Sequence, residues 1–458
     1  MIFGLSRQSF FLPFLVIAIS WFGAVSVDAQ SCNCTFCLGG LVPQDPRPDP
    51  NGPQFFQLSG FRWTQTATNG PGIQRGDPIT LTWGFARELT GSTFIPNFGP
   101  GTGAGANSNL IARMDQIYGS GPGGTNLTLR PWFQHYQSVF NRWSELSGIT
   151  YVYEANDDGL AFNDLNQSQG VLGVRADIRI GGRSIDGNNG VLGFNFYPLN
   201  GEMVIDTNDS FFNNTNNNSR RLRNVVAHEH GHGLGFAHVI PTNQTKLMEP
   251  AFTGSFDGPQ LDDILALHRN YGDRLEKTNG GLGNDTAGTA YYLGSVTNIT
   301  ASIGNHGSTV QVSPTQSDFV SIDGTTDVDY FRFSVDGKSL VDIVLTPQGP
   351  TYNQGPQGGS SAPFNAAAQN DLMLTLFAQD GTTILAHANA TGLGGSEVIS
   401  YLVNAAGSYF VRVMGSVDAV QLYRLQITGG LVIPEPAGGL VLLVFSATAL
   451  LRRRRTAR

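Results

Sequence analysis

The stretch His228-Glu229-His230-Gly231-His232-Gly233-Leu234-Gly235-Phe236-Ala237-His238 decides how this chain is read. Residues four apart on an α-helix stack one above the other, roughly 6 Å apart along the axis. His228 and His232 therefore present imidazole nitrogens to one metal ion, while His230 faces elsewhere. Glu229 follows the first ligand directly, so it lies beside the metal and can take a proton from an attacking water. Gly235 can adopt φ > 0, which lets the chain leave the helix sharply and bring His238 in as third ligand. Three protein ligands with a fourth position open describe a catalytic zinc rather than a structural one.

The spacing H-E-x-x-H-x-x-G-x-x-H resembles the signature of the metzincin metallopeptidases. Lys246-Leu247-Met248-Glu249-Pro250 is similar to their Met-turn, and Leu-Met-x-Pro to its matrixin form. Leu261-Asp262-Asp263-Ile264-Leu265-Ala266-Leu267-His268-Arg269-Asn270-Tyr271-Gly272 resembles the closing helix of matrixins. It also reads as a helix from its residues: Leu261, Ile264, Leu265 and Leu267 give an apolar face, and Gly272 is a natural stop.

The resemblance spans residues 55–273 and carries further expectations. Met248 would underlie the zinc, with Leu247, Glu249 and Pro250 walling the substrate pocket. Val191, Leu192 and Gly193 correspond to the edge strand that pairs with an extended peptide substrate. Asp186, Asp206 and Asp209 match the ligand positions of a structural calcium, a hard cation suited to oxygen donors. Phe194 and Val204 stand where animal matrixins have histidines for a second, structural zinc, so one zinc per chain is expected. The sequence departs from the pattern at Val239, where matrixins carry a small polar residue, and in a longer link from His238 to Met248. No tyrosine follows Met248 by two, so no fifth zinc ligand is expected.

At 458 residues the chain is too long for one ordinary core, which predicts two domains with terminal segments. A net charge of −8, with Arg452 to Arg455 at the C-terminal end as the exception to an otherwise dispersed pattern, argues against nucleic acid as partner. Arg7, the apolar residues 10–25 and the small Val27-Asp28-Ala29 predict a signal peptide over residues 1–29. Cys32, Cys34 and Cys37, all the cysteines of the chain, fall in the segment 30–54, so neither domain is held by a disulfide of its own. At the other end, Pro434-Glu435-Pro436, a short apolar stretch and Arg452 to Arg455 resemble the PEP-CTERM sorting signal, placed at residues 431–458. That resemblance implies an exosortase-type processing enzyme as partner and a transient membrane contact.

Between the ends, the expected fold is an α+β metzincin-like catalytic domain, a mixed twisted sheet plus the zinc-site helix, followed by an all-β sandwich. Strands are predicted at residues 78–85, 149–153, 176–180 and 190–196, and an amphipathic helix at 131–146. A glycine-rich linker is read at residues 274–284. Period-two runs at 331–335, 341–345, 372–377, 409–413 and 423–427 predict the sandwich over residues 285–430. Asp327-Val328-Asp329-Tyr330-Phe331-Arg332-Phe333 and Gly407-Ser408-Tyr409-Phe410-Val411 resemble the bacterial pre-peptidase C-terminal domain. Asp327 and Asp329 offer oxygens that could bind calcium, but they read first as solvent-exposed residues at a strand start.

The expected activity is zinc-dependent hydrolysis of protein or peptide substrates, outside the cell or at its surface. Glu229 would be the general base and His228, His232 and His238 the zinc ligands. The catalytic unit is expected to be self-sufficient up to Asp273. A competing class is a non-catalytic binding protein on the same scaffold, which loss of Glu229 or of a ligand would have signalled. An esterase or amidase acting on small substrates is disfavoured by the substrate strand.

Overall fold

The computed structural model describes residues 58–99, 102–163 and 170–432. The expected signal peptide at 1–29, the three cysteines and nearly all of the expected sorting segment at 431–458 lie outside the described residues. Among the described residues no helix is long and apolar enough to cross a membrane.

The N-terminal unit contains β1 (Ile79–Phe85), α1 (Leu110–Tyr118), α2 (Phe133–Glu145), β2 (Ile149–Tyr153), β3 (Ile178–Arg183), β4 (Gly193–Asn195), β5 (Met203–Asp206), α3 (Asn216–Gly233), β6 (Val239–Ile240) and α4 (Leu261–Tyr271). Five of the strands form one sheet in the order β2-β1-β3-β5-β4. The first three pairings are parallel, and β4 runs antiparallel to β5 at the end of the order. Parallel strands need crossovers, and α1 and α2 supply the one from β1 to β2. The aromatic spacing of α2 does what its period predicts. Phe133, Tyr136, Phe140 and Trp143 are buried, and Trp83 of β1 stacks on Phe140 at 4.5 Å between ring centroids.

The C-terminal unit contains β7 (Tyr291–Ser295), β8 (Thr300–Ile303), β9 (Ser321–Ile322), β10 (Val328–Val335), β11 (Ser339–Pro347), β12 (Thr351–Pro356), β13 (Ala362–Asn365), β14 (Leu372–Phe377), β15 (Ile384–Ala388), β16 (Glu397–Val403), β17 (Gly407–Gly415) and β18 (Gln421–Leu431). One sheet has the order β7-β10-β17-β14-β15, the other β8-β18-β11-β16 with β9 also on β18. Alternate residues of β10, Phe331, Phe333 and Val335, face those of β11, Val341, Ile343 and Leu345, in a dry core.

Two expectations change here. Residues 274–284 are not a flexible spacer. Leu275 is buried in the sandwich core, and Lys277 Nζ donates to the Ser144 hydroxyl at 2.9 Å and to Ile149 O at 3.0 Å. The glycines at 280, 281 and 283 follow these anchors and only shape a turn. Nor are Asp327 and Asp329 solvent-exposed: Asp329 is fully buried, and both approach Glu276 with carboxylate oxygens within 4.8 Å of one another. Asp329 accepts from the Tyr423 hydroxyl at 2.5 Å and from Asn284 Nδ2 at 2.8 Å. Burial first, then mutual repulsion, pushes Glu276 up to about 11.

The two units share apolar packing as well. Val312, Phe319, Phe364, Ala366, Val420 and Leu422 of the C-terminal unit belong to the same buried cluster as the core of the N-terminal one. Arg269 of α4 pairs with Asp418 at 2.7 Å, and His268 bonds the Ser321 hydroxyl at 2.9 Å.

Candidate metal centre and substrate cleft

α3 is the frame of the site. Asn217, Asn218 and Ser219 take left-handed backbone at its start, a conformation asparagine tolerates. From there the helix runs inward until every side chain from Val225 to His232 is buried. Gly235 ends it at φ 94°, and a β-carbon there would meet Phe61 O at 2.0 Å, so only glycine fits the exit. Trp63 Nε1 donates to Gly233 O at 2.8 Å and the Tyr271 hydroxyl to Leu234 O at 2.9 Å, satisfying carbonyls the helix leaves open.

The three expected ligands converge. Nε2 of His238 lies 3.1 Å from Nε2 of His228 and 3.1 Å from Nε2 of His232. Tetrahedral bonds of about 2.0–2.1 Å to a zinc would set their nitrogens roughly 3.3 Å apart. The outer nitrogens are all engaged. His228 Nδ1 meets Leu247 O at 2.7 Å, His232 Nδ1 meets Phe236 O at 2.7 Å, and His238 Nδ1 meets Gln357 Oε1 at 2.8 Å. Each partner is an acceptor, so each Nδ1 carries the ring proton and each Nε2 presents a lone pair. Three lone pairs aimed at one point without a proton among them fit a divalent cation such as zinc. Burial drives all three imidazoles down, His228 to about 3 and His238 to about 4, which keeps them neutral and ready to ligate.

His230 is elsewhere, as its helical position requires. Its Nε2 lies 2.6 Å from the Tyr151 hydroxyl, and its ring packs edge-on against Phe140 and Trp143. Glu229 is fully buried beside the ligands, and a β-carbon on Gly193 would stand 3.2 Å from its Cγ. β4 thus passes directly over the glutamate, with Val191 and Leu192 leading into it.

Met248 sits beneath α3, and α4 explains how it is held. Asp263 accepts the amides of Leu247 at 2.9 Å, Met248 at 3.1 Å and Gln260 at 2.8 Å, so one carboxylate ties the turn to the closing helix and caps that helix. Motif matching gave Asp263 no role, although its place at the third position after Gln260 is the signal of a capping box.

The pocket wall differs from expectation. An apolar pocket beside His228 is lined by Leu192, Val225, Leu247, Phe252 and Phe256, with Asn224, Ala251 and Thr253. Leu247 lines this pocket, whereas Glu249 and Pro250 do not. The Glu249 carboxylate turns inward to accept the amides of Gln244, Thr245 and Lys246, since a buried carboxylate needs such donors. Phe252 and Phe256, two aromatics just past the Met-turn that motif matching gave no role, line it instead.

Asp186, Asp206 and Asp209 each accept an amide of the loop after Ile185, but unlike the three histidines they do not bring ligand atoms within 4.8 Å of one another. Asp206 accepts the amide of Gly187 at 2.9 Å, Asp186 that of Val191 at 3.0 Å, and Asp209 that of Asn189 at 3.3 Å. Burial first, then Asp206 and Asp186, raises Asp209. Phe194 and Val204 are opposite each other on β4 and β5 and buried in an apolar cluster with Ile95 and Phe162.

Comparison with known proteins agrees with this geometry. Residues 128–272 match the family model of the matrixins, and residues 327–415 that of the bacterial pre-peptidase C-terminal domain. The chain therefore carries a matrixin domain, the class that the histidine geometry and the Met-turn define, followed by a pre-peptidase C-terminal domain. Among particular relatives, the hatching enzyme of Paracentrotus lividus is 33% identical over 154 residues, 32% of this chain and 23% of that protein. Karilysin of Tannerella forsythia is 28% identical over 182 residues, 37% of this chain and 34% of that one. The chain thus spans well under half the length of either relative. The pre-peptidase C-terminal domain of a Bacillus anthracis collagenase aligns over 30% of this chain and 94% of its own, at 17% identity and a TM-score of 0.18.

Proposed function

We propose that this chain is a secreted or surface-associated zinc-dependent endopeptidase. The observation that carries it is the convergence of three Nε2 lone pairs, each fixed by an acceptor on its Nδ1, beside a buried glutamate. A zinc ion held by His228, His232 and His238 would supply Lewis acidity and lower the pKa of water. Glu229 receives a proton from the attacking water and returns it to the leaving amine. β4, at the end of the sheet order, aligns an extended peptide across the metal by strand addition. The pocket formed by Leu192, Val225, Leu247, Phe252 and Phe256 favours substrates with an apolar side chain beside the scissile bond.

Incubating the mature protein with a mixed peptide library, with and without a chelator, tests this reading. Cleavage abolished by the chelator, restored by zinc, and clustered beside apolar residues is expected. In Glu229→Gln, zinc stays near one per chain while cleavage falls by about two orders of magnitude or more. Near-normal cleavage by that variant would overturn the mechanism.

Calcium at Asp186, Asp206 and Asp209 is part of the same reading, supported by three carboxylates that all accept amides of the one loop, those of Gly187, Val191 and Asn189. Added calcium is then expected to raise the melting temperature, and the triple Asp→Asn variant to lose that response. For sorting, deleting residues 437–458 is expected to change the location and the mature mass of the protein. Identical location and mass would remove the exosortase partner and the membrane contact from the proposal.

A further inference from the structure

The hairpin of β12 and β13 leaves the sandwich and ends at the metal centre. β6, the two residues directly after His238, pairs antiparallel with β12: Val239 lies opposite Pro356 and Ile240 opposite Gly355. The next residue, Gln357, makes two contacts with the third ligand. Its amide donates to His238 O at 3.3 Å, and its Oε1 meets His238 Nδ1 at 2.8 Å. The hairpin is fixed from behind as well. The Tyr352 hydroxyl donates to buried Asp262 of α4 at 2.8 Å, and Phe364 is buried in the core of the matrixin domain.

The three ligands are thereby unequal. His228 and His232 stand on a rigid helix, and backbone carbonyls of their own domain fix their rings. His238 lies beyond the Gly235 exit, without helical support, and its outer partner comes from 119 residues further along the chain. A ligating imidazole needs an acceptor on its other nitrogen to hold the tautomer and the ring plane. A water in that place, free to move, would hold the ring plane less firmly than a side chain fixed by its own backbone.

We propose that Gln357 is a positioning residue of the zinc centre, and that the C-terminal domain completes the metal site through this hairpin. The proposal rests on the zinc-peptidase reading above for the identity of the metal. Oε1 fixes the proton of His238 on Nδ1 and so keeps Nε2 free for the ion. The paired strands β6 and β12 hold the backbone that carries His238.

The experiment measures zinc affinity by chelator competition, and the absorption spectrum of the cobalt-loaded protein, on the full chain and three variants. Gln357→Leu is expected to bind zinc about 10- to 100-fold more weakly, with altered cobalt bands, because the imidazole loses its acceptor. Gln357→Glu offers a carboxylate to the same proton and should restore wild-type affinity or exceed it. Asn353→Ala, an exposed change on the same hairpin, should leave both readouts unchanged. Gln357 is half-buried in a loop, so its replacement opens no core cavity, and the melting of the metal-free variants should match wild type. Wild-type zinc affinity and an unaltered cobalt spectrum in Gln357→Leu would overturn the proposal while leaving the peptidase reading intact. A wild-type chain that holds neither metal would overturn the peptidase reading itself.

Discussion

The sulfur of Met248 lies 2.4 Å from the point a β-carbon on Gly231 would occupy. No real contact of that kind exists, so the glycine between the first two ligands is what lets the methionine seat under them. Gly231→Ala should push the Met-turn away from α3 and destabilise the fold by about 1–3 kcal/mol, the usual cost of overpacking. Met248→Ala in the same chain should recover part of that loss. Denaturant unfolding of the two single variants and the double one measures the coupling; purely additive effects would contradict the contact.

Asp263 accepts three backbone amides at once, two from the Met-turn and one from the start of α4. Asp263→Asn points a donor at one of those amides and removes the charge from the others. A loss of about 3 kcal/mol is expected, since bonds to a charged acceptor contribute about 1.5–3 kcal/mol each and a buried unmatched donor adds its own cost. A melting curve like that of wild type would mean the turn is held by packing alone.

His268 supplies a pH test. Burial lowers it to about 4, while Nε2 donates to Leu146 O at 2.7 Å and Nδ1 accepts from the Ser321 hydroxyl at 2.9 Å. Below the unfolded value of 6.5 the unfolded chain takes a proton that the folded one refuses, so stability falls as pH drops from about 6.5 to about 4. The share of His268 in that loss is about 3 kcal/mol. His268→Gln keeps a donor and does not titrate, so its stability should decline less over the same range. Parallel pH profiles would rule His268 out as the sensor.

A chain ending at Asp273 should fail. It would uncover the surface that Phe319, Phe364, Val420 and Leu422 bury, and remove the acceptor from His238. A chain ending at residue 432 should unfold in one cooperative transition by calorimetry. Two separate transitions, or a soluble zinc-binding fragment ending at Asp273, would show the domains to be independent.

That outcome would reverse the self-sufficiency expected from sequence, and the reason is physical. Local periodicity is legible: residues 149–153 and 372–377 form strands with the expected bounds, and the spacing from His228 to His238 yields three converging ligands. Chemistry set by long-range packing is not. Nothing near Gln357 marks it, because its partner is 119 residues away. Glu249 was expected in the pocket wall from its place in the Met-turn, yet three amides claim its carboxylate. The stretch 274–284 looked like a spacer because glycine dominates its end, while Leu275 and Lys277 at its start anchor it.

The pairing of β6 with β12 also bears on heredity. Domains are commonly exchanged between genes at the exposed connections where few contacts cross. A crossover at residues 274–284 that brought in a foreign sandwich would supply neither the strand opposite Val239 nor the amide that holds His238. The offspring would keep every residue of the zinc motif and lose the support of one ligand. These two domains can therefore diverge only as a couple, each change at the hairpin tip being answerable to the loop after the third histidine.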